Sequence, residues 1–106
     1  MKFFITEEQR KEQGGSCYFE FQKGQPDPDY KFTCWKSDSL LMHMDTADKT
    51  ALYKMFEGFD YYGVTVVDRE KWESFRQNAD KELLEELNEW AEENFREYDY
   101  FVIIGL

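Results

Sequence analysis

The residues whose types could support chemistry in this chain are one histidine, two cysteines and a high density of carboxylates. His43 stands two residues before Asp45 and five before Asp48, a spacing that could give a general base oriented by a carboxylate. It is also the only imidazole that could activate Cys17 or Cys34 as a nucleophile. Either arrangement would make the chain a small enzyme or ligand-binding domain built on His43 and an aromatic pocket. The plainer reading puts His43 on a strand over Leu40 to Met44, sharing a face with Leu41 as a structural residue. Paired carboxylates invite glycosidase or metal chemistry, which needs two such groups close together with one pKa raised. On an exposed stripe carboxylates stay hydrated and ionised, and the sequence holds neither an EF-hand loop nor a His-rich ligand set. Gly14-Gly15 lacks the following Lys-Ser or Lys-Thr of a phosphate loop. No catalytic residue, metal or cofactor is expected.

The carboxylates themselves are the strongest signal. From Asp80 to Asp99 there are nine of them against Lys81 and Arg96, so this segment carries seven of the ten net negative charges. At 3.6 residues per turn Glu82, Glu86, Glu89, Glu93 and Glu97 fall within about 80° of one another. Leu83, Leu84, Leu87, Trp90, Ala91, Phe95 and Tyr98 fill the opposite side. Solubility and helix propensity explain many glutamate-rich faces. Such faces normally mix signs, whereas here like charges sit at i, i+3 and i+4, each pair costing about 0.2 to 0.5 kcal/mol. Tolerated self-repulsion points to a basic partner that relieves it. Glu82, Glu85, Glu86, Glu89 and Glu93 are the expected partner-binding residues. Asp60, Tyr61 and Tyr62 are candidate anchors, because tyrosine is favoured where an interface needs an apolar body and a polar tip.

Composition limits the partners. A net charge of −10 disfavours direct binding to nucleic acid or to an anionic membrane, both of which draw affinity from Lys and Arg. No apolar stretch approaches the ~20 residues of a membrane span, and Phe3-Phe4-Ile5 is too short for a signal-peptide core. Cys17 and Cys34 show no metal spacing and read as reduced thiols of a cytoplasmic protein. With 19% aromatic residues the chain has enough apolar area to fold despite 34% charged residues.

These side chains need a scaffold, and the pattern predicts one α+β domain spanning residues 1–106. Phe3 to Ile5 reads as a strand, and Thr6-Glu7-Glu8-Gln9 has the form of a capping box leading to a stop at Gly14-Gly15. Ser16 to Gln22 and Lys31 to Lys36 alternate as strands, joined as a hairpin through a long tip rich in proline and aspartate. Leu40 to Met44 is a third strand. Asp45 or Thr46 is expected to cap a short helix from Ala47, with Gly58 as its stop. Val64 to Val67 is β-branched throughout and reads as a strand, with Asp68 capping the helix after it. Residues 69–97 form one long helix or two joined near Asn78. Tyr100 to Ile104 is a closing strand buried on both faces. The expected architecture is a mainly antiparallel sheet packed by the long acidic C-terminal helix and a shorter one.

The passage Tyr61-Tyr62-Gly63-Val64-Thr65-Val66-Val67-Asp68-Arg69-Glu70-Lys71-Trp72-Glu73-Ser74-Phe75, with the Glu-rich segment after it, resembles small acidic bacterial immunity proteins that neutralise nuclease toxins, including those of contact-dependent growth inhibition. The resemblance implies a non-enzymatic inhibitor that binds and blocks a basic toxin nuclease domain as a monomer in a heterodimeric complex. A DNA-mimicking inhibitor of a DNA-binding protein is the alternative that uses the same surface. The hairpin tip over Gln25 to Tyr30 is the alternative interface.

Overall fold

A computed structural model describes residues 1–25 and 34–106. Along the chain run β1 (Ile5–Thr6), α1 (Glu7–Gln13), β2 (Tyr18–Lys23), β3 (Leu40–His43), α2 (Met44–Thr50), α3 (Leu52–Met55), β4 (Val64–Asp68), α4 (Arg69–Asn78), α5 (Lys81–Glu97) and β5 (Tyr100–Ile104). The five strands form one antiparallel sheet in the order β1-β3-β2-β5-β4. The expected α+β fold is therefore present.

Local chemistry explains most boundaries. Thr6 accepts from the Gln9 N–H while the Gln9 side chain accepts from the Thr6 N–H, completing the capping box that starts α1. Asp68 caps α4 through the Lys71 N–H, and Asp80 caps α5 through the Glu82 and Leu83 N–H groups. Between these two helices Ala79 is extended, so the segment 69–97 is two helices broken just after Asn78.

Three expectations are corrected. The helix after β3 begins at Met44, ahead of Asp45 and Thr46, because the His43 ring takes the cap by accepting the Asp45 N–H at 3.0 Å. That helix ends at Ala51, whose φ of 54° is left-handed, so Gly58 lies beyond α3 and stops neither helix. The strand over Lys31 to Lys36 is absent in its described part. Lys31 to Thr33 and the tip over Pro26 to Tyr30 lie outside the described residues, and Trp35 has a φ of 68° that no strand residue adopts. The antiparallel neighbours of β2 are instead β3 and β5.

The core lies on one face of the sheet. Phe21 in β2 is its hub, with ring centroids 5.2 Å from Phe4, 6.4 Å from Phe56, 6.5 Å from Trp90 and 6.2 Å from Phe101. Phe19, Met42, Val67 and Ile103 extend it, and α4 and α5 cover it with Trp72, Phe75, Leu83, Leu87, Trp90 and Phe95. Burying each such side chain stabilises the fold by about 1.5 to 3 kcal/mol.

The other face is closed at its centre by chain rather than by a helix. Glu20 and Gln22, which alternate with the core phenylalanines, are buried there. The Glu20 carboxylate accepts the Trp35 N–H at 2.7 Å, the Lys36 N–H at 2.9 Å and the Ser39 hydroxyl at 2.6 Å. Two successive amides thus turn onto one carboxylate at the residue, Trp35, that leaves strand geometry. The Arg10 guanidinium stacks 4.0 Å from the Trp35 ring and grips buried Glu7 with two nitrogens, at 2.8 and 2.6 Å. This pair holds the Glu7 carboxyl below its usual range, mainly through the hydrogen bonds from Arg10.

Candidate functional site

The acidic surface is built on α5, and the core fixes its orientation. Leu83, Leu87, Trp90, Ala91 and Phe95 are buried along one side of the helix, which leaves Glu82, Glu85, Glu89, Glu92, Glu93 and Glu97 exposed on the other. Hydrogen bonds from Asn94 and Trp90 lock the helix against rotation. Asn94 accepts the Gly24 N–H at 2.8 Å and donates to the Tyr100 carbonyl at 3.0 Å, joining α5 to the end of β2 and to β5 at once. Gly24 is required at that approach, since a Cβ there would lie 2.6 Å from the Tyr100 carbonyl. The Trp90 indole N–H donates to the Asp38 carbonyl at 2.8 Å.

The five glutamates expected to bind a partner share this helix but differ in what surrounds them. Glu86 is half-buried and accepts the backbone N–H groups of Lys2 at 2.9 Å, Phe3 at 2.9 Å and Phe4 at 3.2 Å. It clamps the chain ahead of β1. Glu82 pairs with Lys2 Nζ at 2.9 Å and Glu93 with Lys23 Nζ at 3.0 Å. The Glu82 hydrogen bond, then its charge, raises the Lys2 pKa above its ordinary value. Glu92 reaches Arg76 of α4 at 3.9 Å. The stripe is thus partly neutralised by cations from 16 to 80 residues away in sequence, where the segment's own composition suggests almost no neutralisation. The Lys2–Glu82 and Arg76–Glu92 pairs are exposed and contribute about 0 to 1 kcal/mol each, so a partner's cation can displace them at small cost, whereas the Lys23 side chain is only 16% exposed.

Glu85, Glu89 and Glu97 make no ion pair among the described residues. Glu85 and Glu89 flank a shallow surface depression of about 380 Å³ whose other walls are Arg76, Lys81, Leu84 and Asn88. A Lys or Arg stem could lie along Leu84 with its head between the two carboxylates, in competition with Arg76 and Lys81 of the same depression.

Asp60, Tyr61 and Tyr62 form a separate corner. No hydrogen bond, ion pair or ring contact joins them to α5 among the described residues. Asp60 closes a turn by accepting the Tyr62 N–H at 3.1 Å, and its carboxylate occupies the place a Cβ on Gly63 would need. Tyr61 rests edge-on against Phe19 at 5.1 Å and donates to Asp48 at 3.3 Å, and partial burial followed by the Asp48 charge raises its pKa. Of the two tyrosines only Tyr62, 79% exposed, is available to a partner.

His43 sits edge-on to Tyr18 at 5.2 Å beside a small cavity of about 210 Å³ that also touches Leu41 and Ile5. Its Nδ1 lone pair is occupied by the Asp45 N–H, which assigns the proton of the neutral ring to Nε2. A carboxylate-oriented base requires the reverse, with Nδ1 donating and Nε2 free. Cys17 and Cys34 are both exposed free thiols. Among the described residues no group of three His, Cys, Asp or Glu side chains is placed to hold a metal, and no helix is long and apolar enough to cross a membrane.

No family model, curated protein or solved structure matches the chain.

Proposed function

We propose that the chain is a non-enzymatic protein-binding inhibitor: an immunity protein that binds a basic partner, a toxin nuclease domain, through the exposed face of α5. The observation that carries this is Glu85 and Glu89, both exposed and without an ion pair among the described residues, flanking a depression with Leu84 in its wall on a helix that its core contacts hold fixed. Glu82 and Glu93 widen the anionic field, and the partner of Glu82, Lys2, is a surface lysine that exchanges readily. A rigid anionic face of this kind accelerates encounter with a cationic protein, to about 10⁸–10⁹ per molar per second at low salt. Glu86 belongs to the scaffold, because its carboxylate is engaged by three backbone amides. The complex is a one-to-one heterodimer in the cytoplasm and involves neither direct nucleic-acid nor membrane contact.

The test is capture of a basic protein on the immobilised chain at low salt, followed by binding and nuclease assays with the identified partner. Glu85→Lys combined with Glu89→Lys is expected to weaken binding at least tenfold while leaving the circular dichroism spectrum unchanged. Inhibition of the partner's nuclease activity by the parent chain, and not by the double variant, is the functional readout. If free duplex DNA displaces the partner, the DNA-mimic reading replaces this one.

A further inference from the structure

We infer that the outer edge of β4 is a second interaction surface, which receives an extended, basic segment of a partner protein as an added antiparallel strand. It lies apart from the α5 face and goes beyond the function proposed for that face.

The backbone supplies the template. β4 is the end strand of the sheet, with β5 its neighbour on one side. The Gly105 N–H donates to the Gly63 carbonyl at 2.7 Å, so odd-numbered residues along 63–67 turn their backbone groups toward β5. Strict alternation in an antiparallel pair then turns the N–H and C=O of Val64 and Val66 outward. Lys71 Nζ meets the Val66 carbonyl at 3.5 Å, as that direction requires. Two donors and two acceptors stand in a row at strand spacing, which is the arrangement that strand addition uses.

Side chains point to the same use. Thr65 and Val67 are buried on the core face, while Val64 and Val66 are 43% and 49% exposed on the face away from the helices. Tyr62 continues this apolar surface at the start of the strand, and exposed Leu106 adjoins it through its N–H bond to the Tyr61 carbonyl. Long apolar edges invite self-association, and proteins blunt them with charge. Here, among the described residues, Lys71 alone bends over the edge.

Charge decides the occupant. Asp60 lies at the entry of the strand, bonded to Thr65 through its backbone. At the exit Glu57, Asp68 and Glu70 line a cavity of about 260 Å³ with Met55, Ser74 and Lys71. Four carboxylates against one lysine repel a second copy of this chain, whose edge carries the same charges, and attract a segment that alternates β-branched and cationic residues.

The probe is the peptide acetyl-Lys-Val-Lys-Val-Lys-Val-Lys-amide, with the Glu-Val analogue as control, added to the intact chain at about 1 mM. Amide hydrogen exchange at Val64 and Val66 is expected to slow at least tenfold with the Lys peptide and to be unchanged with the Glu peptide. Lys71→Ala should tighten binding several-fold. Val66→Pro removes an outward N–H without touching the β5 ladder and should abolish protection at Val64, and Val66→Lys should weaken the peptide with the backbone intact. The inference is overturned if the two amides exchange at the same rate with and without the Lys peptide, including the case in which the peptide binds only at α5. It is equally overturned if they are already protected in a concentration-dependent dimer, which would make a second copy the occupant. Because the readout is confined to β4, either failure leaves the α5 reading standing, and Glu85→Lys/Glu89→Lys leaves β4 protection in place.

Discussion

Glu85 and Glu86 are neighbours in α5 with unlike roles. Glu86 satisfies three amides ahead of β1, whereas Glu85 faces water beside Leu84. Glu86→Ala should therefore cost about 1 to 3 kcal/mol in urea unfolding and speed amide exchange at Phe3 and Phe4. Glu85→Ala should stay within about 0.5 kcal/mol of the parent. Equal losses would mean that the clamp contributes nothing. Glu7 gives the pH dependence. Its folded-state pKa is depressed by Arg10, so its contribution is fully present above the ordinary value of 4.5 and is lost as pH falls through the lower folded value. The stability gap between the parent and Glu7→Gln should thus close below pH 4.5, and a gap that stays constant there would contradict the pairing. The roles of Glu85 and Glu86 are not legible locally. Glu86 meets residues more than 80 positions away, and nothing in a run of glutamates distinguishes a clamp from a solvated group.

At the scale of elements the sequence is clearest where caps and periodicity agree. Thr6 and Asp68 announce α1 and α4, and the apolar run Tyr100 to Ile104 announces a strand buried between neighbours. The break between α4 and α5 is readable as a choice because the apolar spacing runs through it, and the Asp80 cap decides it. Strand pairing is less visible. The alternation in β2 suggests one polar face, but β2 is the middle strand and buries Glu20 beneath residues 35–39. Glu20→Ala should leave the Trp35 and Lys36 amides and the Ser39 hydroxyl without their acceptor. A loss on the order of 3 kcal/mol, with a changed near-ultraviolet dichroism from Trp35, is expected. A neutral result in both measurements would show that the 35–39 segment is held by something other than this carboxylate.

For the whole molecule the deciding quantity is charge. Ten net negative charges on a single domain repel one another, and Lys2, Lys23 and Arg76 offset part of that repulsion across the α5 surface. Raising the salt concentration should therefore raise the unfolding midpoint of the free chain while weakening its complex, because screening relieves repulsion in one and attraction in the other. The fold class is legible from pattern alone, and so is the existence of an anionic helix face. Which glutamates remain available cannot be read there, since that depends on lysines brought in by the tertiary structure. The most direct measurement is the affinity of the chain for the basic protein it captures, determined against salt for the parent and for Glu85→Lys/Glu89→Lys. The account predicts affinity that falls at least tenfold between about 50 and 300 mM salt, and a double variant that is weak at every concentration. Affinity that is flat with salt and retained by the double variant would contradict it.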